Sequence, residues 1–102
     1  MNTEEKTIFE LLKGVIDPEL MVNIIDLGLI YGVTYNEPEH KIDIDLTLTS
    51  PGCPMGGLII EDAQQLIEAS YPNFEVKINL VWEPEWSVEN LTEAGKEALG
   101  QI

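Results

Sequence analysis

With 102 residues, 44% of them hydrophobic and two tryptophan, the chain can build one buried core but not two, and is too apolar for a disordered acidic coil. Nineteen carboxylates against five basic side chains give a net charge of −14, which repels phosphate backbones and anionic lipid and so excludes nucleic acid and membrane surfaces as partners. Apolar runs never exceed three residues, no basic-then-apolar leader opens the sequence, and a lone cysteine and a lone histidine cannot make an internal disulfide or a Cys₄ or Cys₂His₂ zinc site. The expectation is a single cytoplasmic domain over residues 1–102, its carboxylates spread along the whole chain as a solvated face.

A first helix is predicted over residues 3–16, with Thr3 as N-cap and Ile8, Leu11, Leu12, Val15 and Ile16 at helical spacing. Asp17-Pro18 ends it, because the residue before a proline is pushed out of the helical region. Glu19 to Leu27 reads as a loop, and Gly28 leads into a strand over 29–35 with Leu29, Tyr31, Val33 and Tyr35 on one side. After a polar turn, residues 41–49 alternate Ile42, Ile44, Leu46 and Leu48 with Asp43, Asp45, Thr47 and Thr49, the pattern of a strand with one wet face, paired as a hairpin with the strand before it.

Ser50-Pro51-Gly52 breaks that strand, and a second helix is predicted from about Pro54 to Ser70 with Met55, Leu58, Ile59, Ala63, Leu66 and Ile67 on its inner stripe. Val76, Ile78, Leu80 and Trp82 alternate in a third strand, and either Ser87 or Thr92 caps a last helix ending near Leu99-Gly100. The fold class is α+β in the order α-β-β-α-β-α: a small mixed sheet with helices packed against it.

Cys53 carries the chemistry. Pro54 suits the first position of a helix, which places Cys53 at or beside the N-cap, where free backbone N–H groups and the helix dipole favour thiolate over thiol. The surrounding negative charge opposes that shift. Gly56-Gly57 costs the helix about 1 kcal/mol per glycine, which is understandable where something approaches the backbone closely or where helix and sheet cross tightly. The alternative for Cys53 is an inert buried cysteine. Thr47 and Thr49, on the polar face of the strand, are candidate hydrogen-bond partners for a thiolate. Asp17 and Glu19 are candidates for a turn or for the site, and Trp82 and Trp86 for core or lid.

Three stretches resemble one known family. Asp17-Pro18-Glu19-Leu20 followed by Asn23 to Tyr31 is similar to the opening signature of the MIP-eighteen family, formerly catalogued as domain of unknown function fifty-nine. Thr47 to Pro54 resembles its cysteine loop, and Leu80 to Ser87 its third strand and following turn. The resemblance covers essentially the whole chain. It implies a fold like the iron–sulfur cluster assembly domain, and an accessory, non-enzymatic role in iron–sulfur protein maturation. Cys53 would be the functional thiol and an iron–sulfur ligand, with Asp17, Glu19, Asp26 and Thr49 around it. The implied partners are the assembly machinery and client apoproteins, and the implied cargo a transient iron–sulfur cluster. A PaaD-like branch carries an added cysteine-rich C-terminal segment that does not follow Ile102 here, so the SufT-like form is expected.

One cysteine per chain falls short of the four thiolates a cluster usually takes, so a homodimer or a client's cysteines would complete the set. Two other readings stay open. One is a small thiol enzyme with Cys53 as nucleophile and His40, Asp17 or Glu19 as base. The other is an adaptor that binds carriers and clients without holding a cluster.

Overall fold

The structure, a computed structural model, describes residues 2–50, 52 and 56–100. Its first element is helix α1, Thr3–Leu11, and its N-cap is Asn2 rather than the expected Thr3. Asn2 Oδ1 accepts the Glu5 N–H at 2.8 Å while Glu5 Oε1 accepts the Asn2 N–H at 3.0 Å, so two otherwise orphaned donors are satisfied reciprocally. The other Glu5 oxygen, Oε2, accepts the N–H of Tyr35 at 3.0 Å and fastens the helix to the edge of the sheet.

The predicted continuation of this helix to residue 16 is not observed. A 3-10 turn covers Leu12–Gly14, and Val15 is already extended. Its carbonyl accepts the N–H of Ile24, so pairing with a later segment outweighs the helical periodicity. The stretch read as a loop then contains a small hairpin, with β1 (Ile16–Asp17) antiparallel to β2 (Val22–Asn23). Ile16, assigned to the helix's apolar stripe, is instead 43% exposed.

The main sheet joins β3 (Ile30–Asn36), β4 (Lys41–Leu46) and β5 (Glu75–Leu80) in the order β3-β4-β5. The expected hairpin is present, antiparallel, with Val33 opposite Ile44. A register shift between Ile30 and Gly32 makes Tyr31 the extra residue of a bulge. Tyr31 therefore leaves the inward set and is only half-buried; its hydroxyl donates to the Pro84 carbonyl at 2.8 Å.

Helix α2, Gly56–Ser70, carries the chain across to β5, which lies parallel to β4 with Ile44 opposite Ile78. Mixed pairing is thus confirmed. Gly56, Ile59, Ala63 and Ile67 form the buried face of α2, whereas Leu58, predicted on that stripe, is 46% exposed. Pro54 and Met55, predicted to open this helix, lie outside the described residues.

Ile42, Ile44 and Leu46 of β4 are fully buried among Ile8, Leu12, Leu29 and the α2 face, and Asp43 and Asp45 face away from them. The alternation breaks after Leu46. Thr47 and Leu48 are both buried, so Thr47 does not stand on the polar face as predicted. Its backbone N–H donates to Leu29, continuing the ladder past the strand, while its hydroxyl has no hydrogen-bond partner among the described residues.

Beyond β5 the chain crosses back over one end of the sheet. Thr92, not Ser87, caps the last helix, α3 (Glu93–Leu99), accepting the Gly95 N–H at 3.1 Å; Gly100 closes it in the left-handed conformation.

Candidate functional site

Cys53, the expected functional thiol, lies outside the described residues, and so does its predicted place at the helix start. The surroundings can be built from its neighbours in the chain. A cavity of about 340 Å³ is lined by Thr49 and Ser50, the last residues of the segment leading to the cysteine, and by Trp82, Glu83, Glu85 and Trp86 from the crossing after β5. It therefore combines two hydroxyls, two carboxylates and two indole rings. Thr49, half-buried, is one of its lining residues.

The far wall is held from below. Trp86 is half-buried and its Nε1–H donates to the Leu27 carbonyl at 2.6 Å. Asn90 Nδ2 donates to the Tyr31 hydroxyl at 3.1 Å, and that hydroxyl in turn reaches Pro84. Gly28 has φ of +73° and sits so close to the Asn90 carbonyl that any Cβ would overlap it. Loop 23–31 and segment 81–91 thus lock together, which seats Trp86 and the backbone of this segment beside the end of β4.

The two aspartates named as neighbours of the thiol are occupied in loop building. Asp17 is 2% exposed, and its Oδ1 accepts the backbone N–H groups of Glu19 at 2.8 Å and Leu20 at 3.1 Å. It closes the β1–β2 hairpin as an Asx turn. Asp26 accepts from Asn23 Nδ2 at 2.9 Å through one oxygen and from Thr92 Oγ1 at 2.9 Å through the other, tying the 23–28 loop to the start of α3. Glu19 is exposed on the hairpin.

The glycine pair divides. A Cβ on Gly56 would stand 2.5 Å from Leu48 Cδ1, so this glycine permits close packing of α2 on the segment after β4, whereas a Cβ on Gly57 would meet nothing within 4 Å among the described residues.

His40 stands at the other end of β4, packed on Phe74 with ring centroids 5.0 Å apart. Leu46 is six residue steps along the strand from it, roughly 20 Å at 3.3 Å per residue. Gly56 packs on Leu48, at the end of the sheet remote from His40. The thiol-enzyme reading therefore has no histidine base at this end. Among the described residues no three His, Cys, Asp or Glu side chains converge to hold a metal ion.

Glu83 and Glu85 were read as turn residues, and their place in the cavity was missed. The available signal was their alternation with Trp82 and Trp86 immediately after a strand.

An α+β domain with an aromatic, acidic cavity lined in part by Thr49 and Ser50, which precede Cys53 in the chain, is the class of protein that fold and site define. Residues 5–80 match the family described as iron–sulfur cluster assembly protein, and the chain belongs to that family. It is 39% identical to a protein of Porphyromonas gingivalis named Fe-S protein maturation auxiliary factor, over 98% of each chain. It is 41% identical to the Staphylococcus aureus Fe-S protein maturation auxiliary factor SufT, over 84% of this chain and 97% of that one. A solved domain of unknown function from Bacillus anthracis superposes with a TM-score of 0.88 at 41% identity, covering 96% of this chain and 92% of that one.

Proposed function

We propose that this protein is an accessory factor in iron–sulfur protein maturation that holds a cluster transiently on the Cys53 thiolate and releases it to client apoproteins. The observation that carries the role is its membership of the family across residues 5–80, alongside near full-length relatives named as maturation auxiliary factors. The cluster is cargo, with client cysteines or a second copy of the chain supplying the other thiolates. Incomplete ligation by one chain suits release. On this reading the cavity of Thr49, Ser50, Trp82, Glu83, Glu85 and Trp86 is where the protein's own side chains meet the cargo. Among the described residues no helix is long and apolar enough to cross a membrane, and we place the protein with its clients in the cytoplasm.

Anaerobic reconstitution with iron and sulfide, followed by addition of an apo-ferredoxin, tests this. The wild type is expected to develop sulfide-to-iron charge-transfer absorbance and to lose it to the acceptor. Cys53→Ser is expected to develop none. Equal absorbance in both proteins, or absorbance in neither, would overturn the carrier reading; the second result would leave the adaptor.

A further inference from the structure

The main sheet has two outer edges, and they are treated differently. On β3 the outward N–H of Tyr35 is taken by Glu5 of α1. On β5 the ladder to β4 runs through the odd-numbered residues: Glu75 N–H donates to His40 and Val81 N–H to Leu46. In a parallel pair the N–H and C=O of one residue point the same way, so those of Val76, Ile78 and Leu80 point outward. Gln64 of α2 donates its side-chain amide to the Val76 carbonyl and closes the first part of this edge. Among the described residues nothing bonds the outward groups of Ile78 or Leu80. Beside them Leu80 is 41% exposed and Trp82 is 40% exposed.

An open edge with exposed apolar side chains is a template for another strand unless it is bulged, charged or covered. Here β5 is paired without a register shift, and its single cation, Lys77, lies on the opposite face from Leu80. The neighbouring charge is of one sign. Helix α2 carries Glu61, Asp62 and Glu68 and no basic residue, and Glu83 and Glu85 follow Leu80. A second copy would bring another −14 to the same contact.

We infer that the β5 edge from Ile78 to Trp82 is a docking site for an extended segment of another protein that alternates apolar with Lys or Arg residues and adds to the sheet as a further strand. The main chain supplies the hydrogen bonds, Leu80 and Trp82 the apolar contact, and the carboxylates the selection for a basic partner. This deepens the maturation reading, on which it rests, by naming the kind of client segment that would be held beside the cavity.

The test reads backbone amide exchange by NMR on the full chain, using a capped heptapeptide of alternating lysine and valine as probe. It is run on wild type and on Cys53→Ser, so its result does not depend on cluster delivery. At about 1 mM peptide the Ile78 and Leu80 amides are expected to exchange roughly tenfold more slowly, the effect of a dissociation constant near 0.1 mM. Added salt should weaken the effect. Leu80→Pro removes an outward N–H while sparing the β4 ladder, and is expected to abolish it. A lysine–valine peptide N-methylated along its bonding edge should fail on the unaltered protein, which keeps the test independent of how that variant folds. No slowing, equal slowing with a glutamate–valine peptide, or protection that rises with protein concentration and no peptide would each overturn the proposal; the last would assign the edge to a second copy.

Discussion

Replacing Asp17 separates two roles that one carboxylate could play. In the structure its Oδ1 accepts two backbone N–H groups, from Glu19 and Leu20, at the turn joining β1 to β2. A hydrogen bond to a charged group contributes about 1.5–3 kcal/mol, but these two are only part-buried, and water can partly replace the lost acceptor. Asp17→Ala is therefore expected to cost about 2 kcal/mol in total, below the roughly 3 kcal/mol that two such bonds contribute at the low end, with a fall in Tm of roughly 8–16 °C for a domain of this size. Asp17→Asn keeps an oxygen at the same place and should cost less than about 1 kcal/mol. Paired urea and thermal melts measure both. An alanine variant as stable as wild type would refute the turn-closing role. An asparagine variant as unstable as alanine would show that charge rather than acceptor geometry is required. If Asp17→Asn folds normally yet loses cluster delivery, the carboxylate serves the thiol as well as the turn.

Gly56→Ala should be destabilising, because its methyl group meets Leu48 and overpacking costs about 1–3 kcal/mol against a helix-propensity gain of about 1. Gly57→Ala should instead stabilise by about 0.5–1 kcal/mol, and a simultaneous loss of cluster delivery would show that a ligand or partner needs that backbone clear. Trp86→Phe leaves the Leu27 carbonyl without its indole donor, with an expected loss of about 1–3 kcal/mol in denaturant melts and a cavity wall no longer fixed. Glu5 has its pKa held below the ordinary glutamate value of 4.5, first by the Asn2 N–H and then by the Tyr35 N–H. Its contribution is accordingly present above that value and lost as pH falls through the lower folded value. In an acid titration the Tyr35 amide resonance should move in that window, and Glu5→Gln should remove the movement.

The hairpin of β3 and β4 was legible because one face is buried and the other wet, which writes a period of two into Ile42, Ile44 and Leu46. The β1–β2 hairpin was not, since two-residue strands are too short to carry a period and their pairing depends on Ile24 reaching Val15. Tyr31 and Thr47 mislead for a related reason: a bulge at one and a strand end before the other shift the phase, and the sequence around them still alternates. At the site, the resemblance pointed to Thr49, which lines the cavity. What it could not convey is that segment 81–87 folds back over Thr49 and Ser50, because that depends on Trp86 and Tyr31 finding partners in distant loops.

The division of labour among the carboxylates bears on how a thiolate could persist at −14. Asp17 and Asp26 direct their oxygens at backbone N–H groups, an amide and a hydroxyl, so both act as acceptors that shape loops. Glu83 and Glu85 line the cavity and are the nearer source of repulsion for an anion held there. The same two residues can also attract a cationic cargo or a basic client segment, and the exposed Leu80 edge lies immediately before them in the chain. Neutralising them as Glu83→Gln with Glu85→Gln should therefore lower the pKa of Cys53 while weakening capture of the lysine–valine strand. Opposite movement of thiol acidity and strand binding would tie the cavity to the sheet edge through one pair of charges, whereas a thiol unaffected by both substitutions would separate them.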